Sequence, residues 1–282
     1  MTIKNNNKGN FFKIIIYTVC ALFGFLSIFP FFVMFINATR STTEIQQASI
    51  ALIPSVHFFT NFGVFAGKSF NPLVGLMNSL IISVSATICA TYFSSLTVYA
   101  LVAYSWKMRQ AFFTFILIVI MIPAQVVNIG FYQFMFQIGL TNNFLPLILP
   151  AIASPAVVFF MRQYLIATLS LDIVDSARID GAREFYTFNR IILPMMTPAI
   201  ATQAIFVFVA SWNNFFLPLI FLTDNSLYTM PIMVSLLRGD IYRTELGAVY
   251  LGLALSVLPL FIVYFSLSKY IIAGVQLGGV KE

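Results

Sequence analysis

Six long stretches of the chain consist almost entirely of apolar residues, and the polar residues are gathered between them. A helix of about 20 residues spans the hydrocarbon core of a bilayer, and each stretch reaches or approaches that length. The stretches are continuous and lack the strict alternation of a β-barrel strand, so they predict helices. The six predicted spans are residues 14–36, 77–104, 112–132, 144–161, 196–221 and 248–272.

The composition agrees with a membrane protein. Of the 282 residues, 60% are hydrophobic and 9% are charged, whereas a soluble domain usually has about 25% charged residues. So few polar side chains cannot cover a water-soluble body of this size. The composition therefore excludes a soluble enzyme, a secreted disulfide scaffold and a nucleic-acid partner, although the net charge is +6. We expect an all-α integral membrane protein whose surroundings are the lipid bilayer.

Basic residues predict the orientation, because Lys and Arg in short loops stay on the cytoplasmic side. With the N-terminus inside, eleven of the 15 basic residues fall in cytoplasmic segments. Both termini are therefore predicted to be cytoplasmic, in a multi-pass protein of the plasma or inner membrane. The predicted order is an inner tail at 1–13, the first span at 14–36, an outer segment at 37–72, a core at 73–273 and an inner tail at 274–282.

Ionisable side chains are almost absent from the predicted spans, and the exception is Lys269 near the inner end of the last one. Ion-driven carriers and voltage sensors keep charged groups at membrane depth. No acid–base pair, metal cluster or activated nucleophile is evident. The sequence from Gly63 to Ser69 is one residue too short for a phosphate-binding P-loop. We therefore expect a non-catalytic chain without a cofactor of its own.

The longest connection predicted to face the cytoplasm, residues 162–195, has a different composition, with eight charged residues. Ser170 and Asp172 are N-cap residue types and predict a helix that continues to about Phe188. So short a helix is marginal by itself in water, which indicates a partner surface. Small or apolar residues recur every four positions along it, at Ile173, Ala177, Gly181 and Phe185.

This 162–195 connection also carries an ordered pattern. Asp175-Ser176-Ala177 is followed after three residues by Gly181 and after nine more by Ile191-Ile192-Leu193-Pro194. The pattern resembles the EAA loop of binding-protein-dependent ABC importers, which has Glu-Ala-Ala, Gly and Ile-x-Leu-Pro at the same spacings. Asp175 and Ser176 depart from it conservatively. With Ser211-Trp212-Asn213-Asn214-Phe215 and the Gly278-Gly279-Val280-Lys281 tail, the chain is similar to the smaller permease subunit of maltose-type carbohydrate importers.

That resemblance implies a type I ABC importer permease fold with six spans and a cytoplasmic coupling helix that docks on an ATPase. It implies a second homologous permease, two ABC ATPase subunits that bind ATP and Mg²⁺, and an extracellular substrate-binding protein. The chain would then form half of a translocation pathway for a sugar or oligosaccharide in a bacterial membrane. The residues expected to act in coupling are Asp175, Ser176, Ala177, Gly181, Phe185, Ile191, Leu193 and Pro194.

Uncharged polar residues in the spans are candidates for a substrate pathway, because amides and aromatic rings suit the hydroxyl groups and apolar face of a sugar. On one continuous helix Gln203 and Asn214, eleven residues apart, would point in nearly the same direction. Hydrogen bonding between helices is the alternative, and it is common in membranes. Pro123 and Pro259 are each predicted to kink a helix. The candidates are Gln203, Trp212, Asn213, Asn214, Gln125 and Asn128.

Two alternatives stay open. The same kind of permease could serve a solute that is not a sugar, because amino-acid, peptide and ion importers share the EAA loop. An autonomous membrane carrier belongs to a different class, and the scarcity of charge at membrane depth counts against it.

Overall fold

The computed structural model describes residues 7–67, 71–238 and 245–279, and within them it contains helices and turns but no β-strand. The predicted all-α class is therefore confirmed. The predicted tails at 1–13 and 274–282 lie partly outside the described residues. The α-helices are α1 Asn7–Asn37, α2 Thr42–Gln47, α3 Phe58–Gly67, α4 Pro72–Ala103, α5 Arg109–Ile120, α6 Ala124–Gln137, α7 Leu145–Ile148, α8 Pro155–Thr168, α9 Leu171–Ile179, α10 Glu184–Thr187, α11 Leu193–Met195, α12 Thr197–Trp212, α13 Phe216–Phe221, α14 Met230–Arg238 and α15 Leu246–Gly279.

Four stretches of the described chain are long and apolar enough to cross a bilayer as single spans. Two bent pairs of helices raise the number to as many as six if each pair counts as one span. The first pair is α5 with α6, and the second joins Glu184–Met195 to α12. The four single stretches are Phe12–Asn37, Pro72–Ala103, Leu145–Thr168 and Leu246–Tyr270.

The predicted third span is not a continuous helix. α5 ends at Ile120 and α6 begins at Ala124, and their axes differ by 95°. Pro123 causes this break because it lacks a backbone N–H and disfavours helical geometry in the residue before it. Pro259 has a milder effect, since α15 continues through it.

The predicted fourth span ends too early. α8 continues to Thr168, so Arg162 belongs to this helix and not to the connection after it. Its guanidinium lies over the ring of Phe113 at 3.9 Å, and its Nε atom is buried without a hydrogen bond in the described part of the chain. The candidate membrane stretch Leu145–Thr168 therefore includes an arginine.

The chain divides into two compact units, residues 1–69 with 234–257 and residues 70–233 with 258–282. In the first unit a buried arginine organises the segment after α1. Arg40 donates to the Asn37 side chain at 3.0 Å and to the carbonyl oxygens of Glu44 and Ala48 at 2.7 and 2.6 Å. The Glu44 carbonyl also accepts the Ala48 N–H at 3.1 Å, so Arg40 ties both ends of the C-terminal turn of α2 to the end of α1.

In the second unit α4 packs along α12 and α8. Its apolar core combines residues from these helices with Val174, Phe188, Ile192 and Met196, all at most 1% exposed. The 162–195 connection is therefore anchored in the core by some of its side chains.

The first turns of α4 hold a distant segment of the same unit. The Asn78 amide donates to the carbonyl oxygens of Ser226 and Tyr228 at 2.9 and 3.0 Å. The Ser79 hydroxyl accepts a bond from the Met230 N–H at 2.9 Å. Both side chains are buried, so their polar groups fix the start of α14 against α4.

A second asparagine holds the residues just before that segment. Asn142 has a φ of 55°, a conformation that Asn tolerates better than most residues. Its side-chain oxygen accepts bonds from the N–H groups of Thr223 and Asp224, both at 3.0 Å. Its own N–H donates to the Phe221 carbonyl at 2.7 Å. Asn142 thus holds the residues directly after α13 through both its side chain and its backbone N–H.

Candidate functional site

The first half of the 162–195 connection ends in a turn that requires glycine. α9 stops at Ile179, and Gly181 follows with a φ of +78°. The Ala182 N–H donates to the Ala177 carbonyl at 2.9 Å, and the Gly181 N–H donates to the Arg178 carbonyl at 3.0 Å. These two bonds form a Schellman motif, in which glycine occupies the left-handed position at no steric cost.

The prediction of one helix that continues to about Phe188 is therefore wrong. Ala177 lies in α9, Gly181 lies in the turn and Phe185 lies in the separate helix α10. The spacing of four residues did not reflect one helical face, because a Gly after an amphipathic run also ends a helix. Ser170 is the N-cap as predicted, but its hydroxyl donates to the Asp172 carboxylate at 2.9 Å and caps no backbone amide.

Apolar and aromatic side chains project from the connection into open space. Ile179, Phe185 and Tyr186 are 86%, 68% and 58% exposed. Beside them is a hollow of about 480 Å³. Large exposed apolar side chains next to a concavity are typical of a surface that binds another protein. The hollow is lined by Ala177, Asp180, Gly181, Ala182, Arg183, Tyr186 and Ile191.

The eight predicted coupling residues divide by exposure. Five of them are exposed: Asp175, Ser176, Gly181, Phe185 and Pro194. Ile191 and Leu193 are half-buried, and Ala177 is buried. Most of the predicted coupling residues are therefore exposed on the 162–195 connection, whereas Ala177 is buried.

Glu184 is the centre of a polar network that the sequence reasoning missed. Its Oε2 atom accepts hydrogen bonds from the hydroxyls of Tyr99, at 2.9 Å, and Tyr104. Its Oε1 atom accepts from Arg178 Nε at 2.8 Å, and Arg178 also donates to Asp175 at 3.1 Å. We call Glu184, Arg178, Tyr99 and Tyr104 the Glu184 network.

The Glu184 network has a clear electrostatic effect. The bonds from Tyr104 and Arg178 favour the ionised carboxylate and lower the pKa of Glu184 below its ordinary value. In the sequence, Tyr99 and Tyr104 are 85 and 80 residues from Glu184. No local pattern could therefore have revealed the contact.

The second half of the connection turns into α12. Residues Phe188–Ile192 form a π-helix, a distortion that is frequent at functional sites. Leu193 and Pro194 begin α11, and the axis changes by 78° between Glu184–Met195 and α12. The chain therefore changes direction just after Leu193 and Pro194.

The alignment predicted for Gln203 and Asn214 is wrong, because α12 ends at Trp212. Asn214 lies beyond this end, and its side-chain oxygen accepts a bond from the Leu217 N–H at 3.3 Å. Trp212 is only 2% exposed and its ring stacks on Phe208, with centroids 5.6 Å apart. Its ring is therefore part of the core and offers no face to a sugar.

The other candidates for the substrate pathway are more exposed than Trp212. Gln203 is 8% exposed, and its amide makes no hydrogen bond within the described residues. Asn213 and Gln125 are exposed, and Asn128 is half-buried on α6. Among the residues that the structure describes, no three His, Cys, Asp or Glu side chains come together as a metal site requires.

Comparison with known proteins gives consistent results. A family model described as "Binding-protein-dependent transport system inner membrane component" matches residues 95–276. The arabinooligosaccharides transport system permease protein AraQ of Halalkalibacterium halodurans is 35% identical, over 93% of this chain and 94% of that protein. The lactose transport system permease protein LacG of Rhizobium radiobacter is 34% identical, over 95% and 96%.

A solved structure has the same fold. It is the crystal structure of a bacterial ABC transporter involved in the import of the acidic polysaccharide alginate, and the matching chain is 20% identical with a TM-score of 0.81. The match covers 96% of this chain and 100% of that one. The resemblance drawn from the 162–195 connection is thus confirmed. The chain belongs to the family of binding-protein-dependent transport system inner membrane components, and it is a permease subunit of an ABC transporter.

Proposed function

We propose that this permease forms half of the translocation pathway of an ATP-driven importer for a sugar or oligosaccharide. The observation that carries the proposal is the identity of 34–35%, over nearly the full length, to permeases named for arabinooligosaccharides and lactose. The chain itself catalyses no reaction. Its role is to open and close a path through the bilayer as a partner hydrolyses ATP.

The proposed complex contains a second homologous permease, two ABC ATPase subunits that hold ATP and Mg²⁺, and an extracellular substrate-binding protein. We place both termini of the chain in the cytoplasm of a bacterial cell, count α5 with α6 as one span and α12 as another, and so obtain six spans with the four single stretches. The 95° angle between α5 and α6 supports two short half-helices that line a cavity, where irregular backbone is tolerated in a membrane.

The 162–195 connection is the proposed docking element for the ATPase. Its exposed Ile179 and Phe185 would bury apolar surface in a cleft of the partner, and the hollow beside Gly181 would admit a side chain of that partner. Leu193 and Pro194 then pass the movement to α12 across the 78° bend.

Gln203 is the strongest candidate for contact with the solute. It lies in the middle of α12, and its amide can both donate to and accept from the hydroxyl groups of a sugar. Asn213, Gln125 and Asn128 remain candidates of the same kind. Trp212 and Asn214 are assigned to packing and to the start of α13.

Transport by the reconstituted complex tests the proposal. The permease is purified with its partner subunits, the ligand of the co-purifying binding protein is identified, and uptake of radiolabelled lactose and arabinotriose into proteoliposomes is measured. Uptake should require ATP on the ATPase side and binding protein on the other. An amino acid or ion as the ligand would contradict the assignment to sugars. Uptake by this chain alone without ATP would show an autonomous carrier.

A further inference from the structure

The 162–195 connection is tied to α4 as well as to α12. Tyr99 lies in the last turns of α4, and Tyr104 is its C-terminal cap residue. Both donate to Glu184 at the start of α10, while Arg178 in the last turn of α9 donates to the other oxygen of the same carboxylate. One side chain therefore joins α4 to both short helices, on either side of the turn at Gly181.

A second group of contacts runs along the same face of α4. The Tyr92 hydroxyl donates to the Asn189 side chain at 3.2 Å. The rings of Tyr92 and Tyr99 both pack on Phe188, with centroids 5.7 Å away in each case. Tyr92 and Tyr99 are seven residues apart, which is about two helical turns. α4 therefore contacts the connection over two turns. The Glu184 network lies at the C-terminal end of this contact along α4.

The network is stronger than an ordinary surface ion pair. An exposed pair contributes little to stability, but Tyr99 is only 3% exposed, and its hydroxyl has the Glu184 carboxylate as its acceptor. Hydrogen bonds to an ionised acceptor are shorter and stronger than neutral ones. Arg178 is further fixed by its bond to Asp175 and by its position over the Tyr104 ring, 5.3 Å from the centroid.

We propose that Glu184 is a positioning residue for ATPase coupling, because it holds α9 and α10 against the end of α4. A displacement of the 162–195 connection then moves α4 directly, in addition to the route through Leu193 and Pro194 into α12. The proposal rests on the proposed function, in which this connection docks on the ATPase.

The first experiment measures the position of the connection. Cys20 and Cys89, the free cysteines of the described chain, are replaced by Ser, and spin labels are attached in the assembled complex at the exposed positions Met108, before α5, and Leu171, at the start of α9. Pulsed electron paramagnetic resonance then measures the distribution of distances between the two labels. E184Q should broaden this distribution. The matched control D172N removes an exposed carboxylate of the same connection that accepts from Ser170, and it should leave the distribution unchanged.

The second experiment measures coupling in the same complexes. E184Q should retain the ATPase subunits and basal ATP hydrolysis, while uptake of lactose or arabinotriose per ATP falls about tenfold, the size expected when a buried hydroxyl loses its charged acceptor. Y99F/Y104F removes the donors and should reproduce the effect, which keeps the test available if E184Q does not accumulate.

The outcomes separate the two proposals. An unchanged distance distribution, or unchanged uptake per ATP, in both E184Q and Y99F/Y104F would overturn the role of Glu184. Equal effects of D172N and E184Q would also overturn it. Failure of the proposed function would be visible earlier, as a wild-type complex that contains no ATPase.

Discussion

Replacement of Gly181 by alanine tests whether the Schellman turn is needed for coupling. An added Cβ would have no heavy atom within 4 Å, so the substitution causes no collision. The cost is conformational, because the φ of +78° is left-handed and an L-residue with a Cβ loses about 1–2 kcal/mol there. In G181A that free energy would raise the ratio of the open Schellman turn, in which its two hydrogen bonds are broken, to the closed turn by a factor of about 5–30.

Gly139 provides a matched control. It follows α6 with a φ of +74°, and a Cβ added there would also have no neighbour within 4 Å. The Leu140 N–H donates to the Met135 carbonyl at 2.9 Å and the Gly139 N–H to the Phe136 carbonyl at 3.1 Å. G139A therefore carries the same conformational cost in the same motif, but outside the 162–195 connection.

Amide hydrogen exchange and ATPase retention distinguish the two variants. In G181A the Ala182 amide should exchange about 5–30 times faster, and less ATPase should co-purify with the permease. In G139A the Leu140 amide should accelerate by a similar factor with ATPase retention unchanged. G181N should have a smaller effect, since Asn adopts left-handed geometry more readily. Faster exchange in G181A without any change in retention would refute the role of the turn in docking.

Three further predictions concern other parts of the second unit. Q203L should reduce solute uptake while thermal stability stays equal or rises, because the lost amide has no hydrogen bond within the described residues; unchanged uptake would assign Gln203 to helix packing. N142A should speed exchange of the two backbone amides that Asn142 holds, whereas N142D, which keeps an acceptor oxygen, should not, and equal rates in both would contradict the assignment. The Tyr104 and Arg178 bonds lower the pKa of Glu184 from 4.5, so the network is stable above that pH and is lost as the pH falls through the lowered pKa. The distribution of distances between labels at 108 and 171 should therefore stay narrow at pH 5 and broaden only below 4.5; broadening already at pH 6 would contradict this sign.

Much of the helical architecture could be predicted because long apolar runs leave few other solutions in a bilayer. The errors occurred where local chemistry interrupts such a run. Pro123 was recognised as a site of bending, but its effect is a complete break of 95°. The pair Asn213-Asn214 also ends a helix inside an apolar run, and Asn is a poor helix former that the hydrophobic pattern conceals.

The shape of the 162–195 connection could be predicted only in part, and its docking role stays a prediction. The resemblance rested on the spacing of Gly181 and Leu193-Pro194, and the structure has a turn at the first and a bend after the second, both of which are local in sequence. The Glu184 network could not be predicted in the same way, since its donors Tyr99 and Tyr104 come from a helix 80 or more residues away. The burial of Trp212 likewise depends on packing against other helices.

α4 holds a separate segment of the chain near each of its ends. Asn78 and Ser79 hold the residues before α14, and Tyr99 and Tyr104 hold the 162–195 connection, roughly 30 Å further along the helix axis. A ligand that favours one position of α4 from either end must, by thermodynamic linkage, change binding at the other end by the same factor. The factor by which a bound ATPase strengthens a contact near Asn78 would then equal the factor by which that contact strengthens ATPase binding, and each could be obtained from a titration of the other.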